Sequence, residues 1–73
     1  MTEWLIQEPE EHDRDFDDRL SVWLMKHPTW AVVVDRETER IKNPKLGYRW
    51  LSWLDARRWA YLTIFTRHGG KKE

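Results

Sequence analysis

The sequence predicts an α+β fold: an N-terminal helix packed on a small antiparallel sheet of three to four strands, followed by a flexible C-terminal tail. Three observations predict it. Phe16, Leu20, Trp23, Leu24 and His27 recur at the spacing of one helix face. Trp30-Ala31-Val32-Val33-Val34 is a β-branched run of strand length. Arg40-Ile41-Lys42 alternates polar with apolar like a returning hairpin partner, and Tyr48 to Ser52 reads as a third strand.

Taken in order, residues 1–8 form an arm, in which Trp4, Leu5 and Ile6 read as an edge strand, a loose terminus or an anchor for a partner. Residues 9–27 read as the helix. Pro9 suits a first helical position, where the amide hydrogen it lacks would be orphaned anyway. Glu10, Glu11 and Asp13 complement the positive end of the helix dipole. Glu10–Arg14 and Asp15–Arg19 stand four residues apart, at ion-pair spacing. Pro28 ends the helix, because it disfavours the helical conformation at His27. Residues 30–34 then make a central strand, 35–39 a polar connection and 40–42 the returning strand. Asn43-Pro44 and Gly47 punctuate the chain with turns. After residues 48–52 two readings stay open. Ser52 and Asp55 resemble a capping box opening a short helix over 53–59. Alternatively, the chain turns at Asp55-Ala56 and runs a strand from Arg58 to Thr66. Residues 9–67 form the folded body of a single small domain, and 68–73 form the tail.

Size sets a bound. A chain of 73 residues with no cysteine has no disulfide to rely on. Small cores of this kind seldom supply more than about 3–5 kcal/mol net. Six tryptophans offset that limit, since each can bury about 150–250 Å². The absence of cysteine suits a reducing cytosol. No apolar run approaches the roughly 20 residues of a membrane span, and no basic-then-apolar leader is expected at the start.

Catalytic and metal-binding patterns fail one by one. Asp13-x-Asp15-x-Asp17 imitates the opening of a calcium loop, but that loop needs Gly at its sixth position and Glu at its twelfth, where this chain has Asp18 and Leu24. His12, His27 and His68 stand alone, with no second ligand at metal spacing. Ser21 and Ser52 lie outside any nucleophile elbow, and no glycine-rich phosphate loop exists. The expectation is a protein that is not an enzyme and holds no metal or cofactor.

Charge is the more informative signal. From Met1 to Lys26 eight carboxylates face three cations, a balance of −5; from His27 to Glu73 five face ten, a balance of +5. Such a bipolar chain suits a partner bearing both signs. In the second half Arg49, Arg57, Arg58 and Arg67 interleave with Tyr48, Trp50, Trp53, Trp59 and Tyr61, a pattern that also suits single-stranded nucleic acid. The acidic stretch Glu8 to Asp18 admits a third reading, mimicry of a nucleic-acid backbone against a host defence enzyme.

A 73-residue, Trp-rich, cysteine-free chain that opens MTEWLIQEPEEHD and runs on through WAVVVDRETERIKNPKLGYRW resembles phage early proteins. Among them it resembles the small RNA-polymerase-binding transcription regulators of lytic Xanthomonas phages. The resemblance covers the whole chain and rests on length and overall character. It implies a monomer in the host cell cytoplasm that binds the β and β′ subunits of the host RNA polymerase near the β flap and RNA exit channel. It further implies inhibition of initiation by displacement of the σ factor, and antitermination during elongation, with nascent RNA and elongation factors as further contacts. The contact residues expected on physical grounds are Trp4, Leu5 and Ile6 as an apolar anchor. Lys42, Lys45, Arg57, Arg58 and Arg67 are the expected cations facing acidic protein patches or RNA.

Overall fold

The computed structural model describes residues 3–43, 45, 47 and 51–68, and among these the chain is helical, with no strand. The α+β expectation is therefore corrected to three helices: α1 (Asp13–Lys26), α2 (Pro28–Ile41) and α3 (Trp53–Arg67).

Helix α1 starts later than Pro9. Pro9 and Glu10 lie in a turn, in which the Glu11 N–H donates to the Glu8 carbonyl at 3.0 Å. The cap is His12, whose Nδ1 accepts from the Arg14 N–H at 3.1 Å. Asp13 and Asp15 then occupy the first turn, where the helix dipole favours anions. The polar segment 9–12 has no apolar face to bury, so nothing holds it in a helix. Arg19 goes to Glu11 at 2.5 Å, outside the helix, rather than to the Asp15 expected from spacing. Pro28 stops α1 as expected, and it also serves as the first residue of α2.

The strands expected at 30–34 and 40–42, with their connection at 35–39, are one continuous helix, α2. Trp30, Val34, Thr38 and Ile41 fall at helical spacing, and that face meets the core. Valine in a helix costs up to about 0.7 kcal/mol per residue relative to alanine. Burying one valine side chain returns about 1.5–3 kcal/mol, so packing overrides the β preference. Thr38, fully buried, satisfies its hydroxyl by donating to the Val34 carbonyl at 2.7 Å.

Helix α3 realises the capping-box reading and extends it. The Ser52 Oγ accepts from the Asp55 N–H at 3.1 Å, and the helix runs unbroken to Arg67, so the alternative strand from Arg58 to Thr66 falls. The third strand expected at 48–52 lies largely outside the described residues; of its members Leu51 is buried and Ser52 is the cap. Of the expected tail, His68 is the C-cap of α3, and 69–73 lie outside the described residues. Gly47 sits in a turn at φ +80°, a conformation natural to glycine.

The core gathers Phe16, Leu20, Trp23 and Leu24 from α1, Val34 from α2, and Ala60, Tyr61, Ile64 and Phe65 from α3. Across it lies the arm. The Trp23 Nε1–H donates to the Glu3 carbonyl at 3.0 Å, and the Tyr61 hydroxyl donates to the Leu5 carbonyl at 2.6 Å. Trp4, inserted between these ties, has ring centroids 4.9 Å from Trp30, 5.7 Å from Trp23 and 5.8 Å from Phe65. Gln7 closes the arm onto the start of α1 by donating to the Glu11 carbonyl and to Asp13.

Candidate docking surface

The structure disperses the residues expected to contact a partner. Trp4 and Leu5 pack against the core, which leaves Ile6, 59% exposed, as the outward part of the arm. Lys42 reaches back to the Leu51 carbonyl. Lys45 is exposed. Arg67 is exposed on the last turn of α3, near enough to Glu37 to help lower that carboxyl, after the larger effect of the Arg40 hydrogen bond.

Arg57 and Arg58 are drawn inward. One Arg57 nitrogen donates to the Ser21 hydroxyl at 2.5 Å. Arg58 is forked across both oxygens of Asp17 at 3.0 Å, bonds Asp55 at 3.1 Å and lies 3.5 Å from Asp13. Burial opposes the charge on Arg58, but the hydrogen bond and attraction of Asp17, with Asp13 and Asp55, hold its pKa above the usual value. Asp13 is lowered in turn, by the Gln7 hydrogen bond first and then by Arg58. Thus the bipolar sequence folds its two halves onto each other at this seam. The carboxylates that stay on the exposed side of α1 include Asp15 and Asp18.

The open face of α3 is the best candidate surface. Trp59, Leu62, Thr63, Thr66 and Arg67 line one shallow groove. Their spacing of three and four residues puts them on a single face. Tyr61, Ile64 and Phe65, on the other side of the same helix, are buried. Trp59 is 55% exposed, in contrast to Trp23 in the core. The Thr63 hydroxyl donates to the Trp59 carbonyl at 3.0 Å, so its hydrogen bond is satisfied within the helix. The surface offers an indole, an aliphatic side chain and a terminal cation, which is the composition of a protein-docking patch.

Sequence reasoning noticed Trp59 only within the Arg–aromatic interleaving, and Arg67 both there and as a cation facing a partner; Leu62, Thr63 and Thr66 were missed. The signal was present in the 59/62/63/66 spacing, but it exists only if the segment is helical. Among the described residues, no cluster of three or more His, Cys, Asp or Glu is placed to hold a metal ion, and no helix is long and apolar enough to cross a membrane.

The described residues thus form three helices, of which α3 presents apolar groups on two faces. No protein-family model, curated protein or solved structure matches it.

Proposed function

We propose that the chain is a phage-type transcription regulator acting without catalysis in the host cell cytoplasm. It binds the β and β′ subunits of the host's multisubunit RNA polymerase, lowers the affinity of the σ factor by occupying a surface that σ needs, and promotes antitermination during elongation. Displacement of this kind requires only a coupling free energy between two binding events. The sequence resemblance supplies the identity of the partner. The observation that carries docking is the exposed Trp59 on the open face of α3, since exposed tryptophan is a frequent anchor of interfaces. Ile6 and the cations Lys45 and Arg67 remain outward for the rim of such a contact. The nucleic-acid readings are weaker, because Arg57 and Arg58 are engaged with Ser21 and with Asp17 and Asp55, and Glu11 and Asp13 are engaged with Arg19 and Gln7.

Co-purification of the chain with tagged host polymerase tests the reading. Retention at micromolar protein is expected, with loss of σ from the holoenzyme. Trp59→Ala is expected to weaken retention about tenfold or more. A polymerase that retains none of the chain at that concentration ends the proposal.

A further inference from the structure

The open face of α3 has a pattern that its exposure alone does not require. Asp55, Trp59, Leu62 and Thr66 follow one another at intervals of four, three and four residues, the seam of a short helical pair. Read against itself in the opposite direction, that seam is complementary. Trp59 meets the copy's Leu62, and Leu62 meets the copy's Trp59. Asp55 meets the copy's Thr66, and Thr66 meets the copy's Asp55. The two central layers each place a large ring against an aliphatic side chain. The two outer layers each place a hydroxyl donor against a carboxylate acceptor. The Asp55 side chain is 45% exposed, and its carboxylate has lone pairs beyond the one that Arg58 uses at 3.1 Å. Thr66 is exposed, and the hydroxyl of Thr63 is already satisfied by the Trp59 carbonyl, which removes a polar demand from the middle of the seam.

We infer that this face pairs antiparallel with the same face of a second copy, giving a two-fold symmetric dimer. A two-fold interface uses one patch twice, so each residue of the seam must find a complement within the seam itself, and here each does. The patch spans about three turns of helix, so the dimer belongs to the weak, transient class below roughly 1,200 Å² of buried surface. The monomer expected from the sequence is the dilute form. Pairing covers Trp59, so a concentrated stock of the protein holds its docking residue in reserve. The inference does not depend on the polymerase reading, because its test contains this chain alone.

Sedimentation equilibrium of the full chain, from about 10 µM to about 1 mM, is expected to show a monomer–dimer equilibrium, the range in which so small an interface should populate. Thr66→Lys sets a cation against the copy's Asp55 twice per dimer and is expected to tighten association about fivefold. Thr66→Glu sets like charges together and is expected to loosen it by a similar factor. Leu62→Glu is expected to leave only monomer. Circular dichroism checks that this variant still folds, and the two Thr66 variants carry the test if it does not. A chain that stays monomeric throughout overturns the inference, as do Thr66→Lys and Thr66→Glu shifting association in the same direction.

Discussion

Two of the places where α1 and α3 meet are made of opposite materials. At one, Trp4, Trp23, Tyr61 and Phe65 pack ring against ring, and the polar atoms present, the Trp23 Nε1–H and the Tyr61 hydroxyl, are satisfied by arm carbonyls. At the other, Arg58 sits among Asp13, Asp17 and Asp55. The aromatic site gains energy from burial, which depends little on salt or on exact angle. The ionic site must first repay the removal of charge from water, so its net gain is small, but a mismatched partner there costs a great deal. The aromatic site therefore holds the helices together, and the ionic site fixes which turn of α3 faces which turn of α1. A chain short of core area needs the first, and three short helices of similar length need the second.

The two sites can be told apart by breaking them. Trp4→Ala is expected to do the most damage, about 3 kcal/mol by urea unfolding, because it leaves a hole among five rings and releases the arm. Arg58→Met is expected to cost about 2 kcal/mol by leaving Asp17 nearly buried without its cation. Adding Asp17→Leu to Arg58→Met should recover most of that loss, whereas no second substitution at the ionic site should rescue Trp4→Ala. Tyr61→Phe is expected to cost about 1 kcal/mol through the lost hydrogen bond to Leu5.

Tyr61→Phe should also change the response to alkali. Burial pushes the Tyr61 phenol up to about 12, above its ordinary value of 10.0. The folded state thus favours the protonated phenol. Its stabilisation is complete below pH 10 and is lost as pH rises from about 10 to about 12. Melting temperature measured across that window should fall more steeply for the natural chain than for Tyr61→Phe. The smallest effect is expected from Trp59→Ala, within about 0.5 kcal/mol in stability, because that ring lies on the open face and not in either site.

The parts of this fold that could be read from the sequence were those set by local chemistry. The apolar spacing from Phe16 to Leu24, the stop at Pro28 and the cap at Ser52, the last as one of two open readings, each act within a few residues, and the structure keeps all three. The failures came where tertiary packing outvotes local preference. Val32, Val33 and Val34 favour a strand by composition, yet the period that matters joins Trp30 to Val34, Thr38 and Ile41, and it becomes decisive only when α1 and α3 supply a surface. The same error hid the open face of α3. Arg57 and Arg58 were read as cations facing a partner because a sequence cannot show that Ser21 and Asp17, thirty-six and forty-one residues earlier, would lie beside them. Trp4 reads as edge strand, loose terminus or partner anchor for the same reason: its ring neighbours Trp23, Trp30, Tyr61 and Phe65 are far along the chain.

His27 is the C-cap of α1 and the N-cap of α2, so one residue is the whole joint between them. No slack remains there to absorb a change of length. An extra residue after His27 would turn everything beyond it by about 100° about the helix axis. Val34 would swing to the exposed place of Asp35, and Val33 would take the buried place of Val34. Natural variation in length, if this architecture recurs, belongs between α2 and α3, and the corner at Pro28 should keep its spacing to the residue.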